Sequence, residues 1–228
     1  MLLFSLVACG GNQKDDEAKN AETPVIETET PVIDKHTFAK PQEAVMTHLD
    51  WEATVDFEKK IISGTATIKL KKAPDAKLLF IDSKELTIEK VTSNGKPLKF
   101  KVHPPVEHLG AALEIILEEG TESVAIQYTT SPTAEALQWL SAEQTAGKKQ
   151  PFLFTQSQAI LARSWVPCQD SPGIRFTYNA KVKVPSDLLA LMSADNPQAK
   201  NAEGLYTFKM EQPIPAYLLA LSVGDLEF

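Results

Sequence analysis

Cysteine is nearly absent from this chain of 228 residues: Cys9 and Cys168 are the only two. Two sulfurs cannot form a framework of bridges, so a disulfide-stapled architecture is excluded. No apolar stretch approaches the roughly 20 residues that a membrane-spanning helix requires. Lys plus Arg total 23 against 30 for Asp plus Glu, and the formal net charge of −7 leaves no basic footprint. No nucleic-acid partner is therefore expected. The sequence holds no G-x-S-x-G, no P-loop, no G-x-G-x-x-G and no H-E-x-x-H. It also offers no amphipathic helix of ten or more residues. What is present, 43% hydrophobic and 23% charged residues, is the balance of one large or two small globular domains.

Residues 1–8 are almost wholly apolar and lead into Cys9-Gly10-Gly11. The order Leu6-Val7-Ala8-Cys9 has the pattern of a bacterial lipobox, in which small residues fit the signal peptidase and the cysteine sulfur takes a diacylglyceryl group. Lipidation at Cys9 implies an extracytoplasmic protein anchored to a bacterial membrane, facing the periplasm or the cell surface. No Lys or Arg precedes the apolar run, which leaves open a start further upstream or a buried strand with a core cysteine. Between Gly10 and Lys35 there is no aromatic residue, and seven acidic residues face three basic ones. Glu22-Thr23-Pro24-Val25-Ile26 repeats as Glu29-Thr30-Pro31-Val32-Ile33, and proline at the same phase in both copies is incompatible with a coiled coil. Such a segment buries too little apolar surface to offset its ordering entropy and reads as a solvated tether. The expected organisation is a signal remnant and lipobox over 1–9, a disordered acidic tether over 10–36 and a folded domain over 37–228.

The folded part reads as strands. Leu49, Trp51, Ala53, Val55 and Phe57 alternate with Asp50, Glu52, Thr54 and Asp56, the period of a half-buried strand. Glu58-Lys59-Lys60 turns the chain, and Ile62, Gly64, Ala66, Ile68 and Leu70 line the returning strand of a hairpin. Residues 78–81 and 86–91 follow, and Asn94-Gly95, which tolerates positive φ, sends the chain back through 98–102. Further strands are expected at 113–117, 124–128, 176–184, 188–193, 205–210 and 217–223. Residues 134–140 offer the one plausible helical turn. The run Tyr217-Leu218-Leu219-Ala220-Leu221 is apolar on both faces, as in a strand covered on two sides, and its place near Phe228 suggests an incomplete polypeptide. The fold class is all-β: a domain of several mixed and antiparallel sheets without substantial helices.

Candidate chemistry is sparse. The histidines are His36, His48, His103 and His108, and the last two flank Pro104-Pro105 in a loop that fixes no ligand geometry. No metal site is expected in this chain. Cys168 as a nucleophile would need a histidine brought near by the fold. The densest unusual stretch is 137–172, with six glutamines, two tryptophans and the loop Pro167-Cys168-Gln169-Asp170-Ser171-Pro172. Amides inside the apolar run from Phe152 to Leu161 are costly unless partnered. On a strand, Gln156 and Gln158 would share a face, offering donors and acceptors to a peptide or an amine, or else to the backbone of a neighbouring loop.

These words carry a resemblance. Thr130-Ser131-Pro132, Ala136-Leu137-Gln138-Trp139-Leu140, Glu143-Gln144-Thr145, Gln156-Ser157-Gln158-Ala159 and Pro167-Cys168-Gln169-Asp170 resemble the N-terminal domain of the M1 family of zinc aminopeptidases, above all its leukotriene A(4) hydrolase branch. Residues 81–91 with Asn94-Gly95, Pro185, Leu191-Met192-Ser193-Ala194 and Ile214-Pro215 with Tyr217-Leu218 resemble the same branch, so the likeness spans about 180 residues. It implies a saddle-shaped β domain leaning over a thermolysin-like zinc domain. Gln158 and Ala159 would then line the substrate pocket, with Gln156 beside them near the first side-chain subsite. Many relatives carry Glu where Gln158 stands, so amine recognition would fall more heavily on an acid of the catalytic domain. Arg163, Pro167, Cys168, Asp170 and Pro172 match a family signature as a loop scaffold.

The resemblance also implies zinc in the full-length enzyme, peptide substrates, and a C-terminal catalytic domain whose G-x-M-E-N loop and H-E-x-x-H motif lie beyond Phe228. This chain alone is expected to be inactive, with no catalytic residue of its own. A β-rich lipoprotein that binds peptides or a partner without catalysis is the alternative, and a Cys168-dependent enzyme is a third.

Overall fold

The computed structural model describes residues 33–227. The lipobox at Cys9 and the tether up to Val32 lie outside the described residues. From Asp34 onward the chain forms one unit.

The strands, in chain order, begin with the hairpin of β1 (Ala44–Asp56) and β2 (Ile61–Lys72), followed by β3 (Leu78–Ser83) and β4 (Thr87–Ser93). Next come β5 (Lys96–Pro97), β6 (Phe100–Val102), β7 (Ala111–Ile116) and β8 (Ser123–Thr129). Two short strands, β9 (Leu137–Leu140) and β10 (Phe152–Thr155), precede β11 (Arg175–Lys183) and β12 (Leu189–Met192). The last are β13 (Leu205–Pro215) and β14 (Leu221–Gly224). Three short 3-10 turns, Ala142–Gln144, Ala162–Ser164 and Ala216–Leu218, supply the helical residues. The all-β reading therefore holds.

The strands make three sheets: β13-β11-β1-β2-β8-β4-β5, β12-β14-β10-β9 and β3-β7-β6. Most neighbours are antiparallel, but β1 and β11 run parallel, with His48 opposite Thr177 and Thr54 opposite Lys183. The alternation read in β1 is the observed one: Leu49, Trp51, Ala53 and Val55 are buried while Glu52 and Thr54 are exposed. Ile62, Ala66 and Ile68 bury the matching face of β2. One apolar core, with Trp51, Trp165, Tyr128, Tyr178 and Phe176 as its largest side chains, joins the strands of all three sheets.

Four local expectations are corrected. Residues 134–140 do not make a helix: after successive turns at Ser131–Ala134 and Ala134–Leu137, Leu137–Leu140 is extended and pairs with β10. Seven residues cannot outlast helix nucleation, whereas pairing satisfies the same backbone at once. The return after Asn94-Gly95, both at positive φ, is short: Lys96–Pro97 pairs with β4, the Leu98 N–H still donates to the Val91 carbonyl at 2.9 Å, and from Lys99, whose carbonyl accepts the Ile116 N–H, the chain turns to β7 instead. Phe100–Val102 belongs instead to the three-stranded sheet. The run 217–223 is not one strand. Pro215 leads into the 3-10 turn at Ala216–Leu218, Leu218 is 47% exposed, and only Leu221–Gly224 pairs, so coverage on both faces is absent. Finally, β10 stops at Thr155, before either glutamine of interest.

Candidate functional site

Gln156, Gln158 and Ala159 are all exposed, on the turn that follows β10, and the peptide between Gln158 and Ala159 is cis. The structure thus brings the three together, but not as two amides on one strand face. Gln156 holds the edge of β9 through its N–H, which donates to the Ala136 carbonyl at 2.9 Å. Its side-chain Oε1 accepts the N–H of Gln158 at 3.2 Å, so one amide caps the turn and the other is left pointing from it. Of the two roles open to the pair, local backbone satisfaction therefore belongs to Gln156.

The turn rests on Ser157, which is only 3% exposed. Its carbonyl accepts the Leu161 N–H at 2.8 Å, and its hydroxyl donates to the Leu219 carbonyl at 3.0 Å while accepting from Trp165 Nε1 at 3.0 Å. Behind Trp165 lies Trp51, ring edge to ring face at 5.3 Å. Tyr128 links the two, its hydroxyl accepting from Trp51 Nε1 and donating to the Trp165 carbonyl, each at 2.8 Å. Sequence reading missed this support. A serine between two glutamines was its only local trace, since its partners come from distant strands.

A second buried network holds the loop that follows. The Arg163 side chain is fully buried; its Nε and backbone N–H both donate to Asp170 Oδ2, at 3.3 and 3.1 Å. The remaining guanidinium donors reach the carbonyls of Leu109, His36 and Asp170, and Asp82 lies 3.6 Å from Nη1. Asp82 accepts from the Phe38 and Asp170 amides and from the Thr37 hydroxyl, which ties residues 36–38 to the domain. Burial pushes the Asp170 carboxyl up to about 6 against the pull of Arg163, and it raises Asp82 as well. Cys168 is buried beside them, and burial first, then both carboxylates, hold its thiol well above the usual range. These residues scaffold the loop.

Among the described residues no group of three or more His, Cys, Asp or Glu side chains is placed to hold a metal ion. His103 pairs with Glu114 at 2.8 Å, and His48 lies between Thr177 at 2.6 Å and Asp50 at 3.1 Å on the polar face of the large sheet. The described residues therefore do not fit the zinc that the resemblance implies. A concavity of about 480 Å³ on that polar face is lined by Asp50, Glu52, Asn179, Lys181, Thr207 and Lys209, among others, and takes in none of Gln156, Gln158 or Ala159.

Residues 45–218 match the family model described as the Peptidase M1 N-terminal domain. Leukotriene A-4 hydrolase of Xenopus laevis is 41% identical over 207 residues, covering 86% of this chain and 34% of that protein. Leucine aminopeptidase 2 of Aspergillus niger is 35% identical over the same length, with 86% and 34% covered. Among solved structures, yeast LTA4 hydrolase in complex with bestatin superposes with a TM-score of 0.80 at 33% identity, over 88% of this chain and 32% of that one. An M1 zinc metallopeptidase of Deinococcus radiodurans shares the fold, with a TM-score of 0.64 at 20% identity over 83% and 44% of the two chains. The chain spans about a third of the length of the relatives it matches.

Proposed function

Since the chain belongs to the M1 peptidase family, whose N-terminal domain it carries, we propose that it supplies one wall of the substrate pocket of a zinc aminopeptidase. Gln158 and Ala159 form that wall and Gln156 stands beside them. The observation that carries this reading is the turn itself: three exposed residues held rigidly by a buried serine. Gln158 offers a carbonyl oxygen to the free amino group of a peptide and an NH₂ to its backbone. A neutral amide orients the amine without neutralising its charge, so a carboxylate elsewhere in the enzyme completes recognition. Zinc held by the catalytic domain would supply the hydrolytic chemistry, carbonyl polarisation and water activation. Its ligands belong to the catalytic domain with which this wall operates, and the described residues take no part in that step.

The test is kinetic. In the whole enzyme that contains this domain, Q158A is expected to lower kcat/KM for aminoacyl anilides about threefold to tenfold, the worth of one polar contact, with zinc content unchanged. Undiminished efficiency, or loss of zinc in the variant, overturns the assignment.

The anchoring reading belongs with this one. Cys9 in the order Leu6-Val7-Ala8-Cys9 supports lipid attachment to a bacterial membrane on its extracytoplasmic side. In a bacterial host, C9S is expected to move the protein from the membrane fraction to the soluble one. An unmoved C9S protein, with no lipid mass on wild-type Cys9, counts against the anchor.

A further inference from the structure

Between the end of β10 and the candidate pocket wall, the connection to β14 changes its chemical nature without changing its register. Backbone pairing joins Leu153 to Val223 and Phe154 to Ser222, and there the ladder ends. The next contacts fall on the same antiparallel register but pass through hydroxyl side chains. The Leu221 N–H donates to Thr155 Oγ1 at 2.9 Å, and Ser157 Oγ donates to the Leu219 carbonyl at 3.0 Å. A ladder bond holds two backbones about 4.8 Å apart, and a bond made through a side chain holds them farther apart by the reach of that side chain. Thr155 and Ser157 are therefore spacers. They keep the strands in step while setting the spacing between the 156–159 turn and the 219–221 segment.

Of the two, Ser157 has no freedom left. Its hydroxyl gives its one proton to Leu219 and accepts the indole N–H of Trp165, which is itself fixed by Tyr128 and Trp51. Each member of this relay is buried. Loss of the hydroxyl would leave a buried carbonyl and a buried N–H unpaired, and the turn would shift to satisfy them.

We infer that Ser157 is a positioning residue that sets this spacing, and so fixes where Gln158 and Ala159 stand and which N-terminal side chains the pocket admits. This rests on the reading of Gln158 and Ala159 as pocket wall. The test uses the whole enzyme with leucyl and alanyl anilides. S157A is expected to raise KM about threefold to tenfold with kcat within about twofold, and to compress the leucyl-to-alanyl preference by a similar factor. S157T, which restores the hydroxyl, recovers part of that preference. Should S157A fail to fold, T155V removes the outer spacer and is expected to move KM and preference in the same direction by a smaller factor.

A folded S157A with unchanged KM and preference, in an enzyme where Q158A does impair turnover, overturns the positioning role. An enzyme indifferent to both substitutions overturns the pocket assignment instead.

Discussion

Arg163 brings one positive charge to a buried site that holds two carboxylates, Asp82 and Asp170. Burial pushes the Asp170 carboxyl up to about 6 from 3.8 against the pull of Arg163, and the neighbouring Asp82 charge adds a smaller push in the same direction. The consequence for stability has a definite sign. In the folded protein Asp170 binds its proton at pH values where the unfolded chain has released it. Its contribution is most favourable below about 4 and is lost as pH rises through 6, and the raised Asp82 acts in the same sense. The expected loss between pH 4.5 and 7.5 is roughly 1–3 kcal/mol. D170N keeps an acceptor for the Arg163 N–H groups but cannot titrate. In urea unfolding, D170N should gain stability relative to the wild type as pH rises from 4.5 to 7.5, because only the wild type loses the Asp170 contribution. Carboxylates elsewhere contribute equally to both proteins and cancel in the comparison. A stability difference between the two proteins that does not change with pH would mean that the titrating group lies elsewhere.

At the scale of the element, the sequence makes plain which residues are extended and which face they bury. The alternations in β1 and β2 are local facts, and burial follows them residue by residue. Strand ends are less legible, because they depend on partners that the alternation does not name. The alternation of buried and exposed positions runs on past Thr155 to Gln158, yet the backbone ladder from β10 to β14 has ended and Thr155 and Ser157 take over with their hydroxyls. A pattern of apolar and polar positions cannot distinguish a ladder bond from a bond through a side chain. The parallel pairing of β1 with β11 is equally hidden, since strands more than a hundred residues apart leave no local signal of adjacency. The same holds for the site: Gln156, Gln158 and Ala159 could be named from a short run of sequence. Their support by Trp165, Tyr128 and Trp51 required the tertiary structure.

At the scale of the whole molecule, Cys168 reports on how the sheets are joined. Its carbonyl accepts the Asp82 N–H of β3 at 2.8 Å, and its side chain lies within the core that runs through all three sheets. Alkylation needs a thiolate in contact with reagent, and in the native state the thiol is both inaccessible and held protonated by burial. Because the core is shared, no edge strand or loop can open Cys168 by itself, and modification must pass through cooperative unfolding. With a domain stability of about 5 kcal/mol or more, the native reaction should run at least a thousandfold slower than in urea-unfolded protein. The Cys168-containing peptide, followed by mass after iodoacetamide treatment, separates this thiol from Cys9. Its rate should rise with denaturant along the same midpoint and slope as the loss of tryptophan signal. Rapid labelling in native buffer would show instead that the 162–172 loop opens on its own. It would also restore Cys168 as a candidate nucleophile, and the buried Arg163 network could no longer be regarded as a rigid base for the pocket wall.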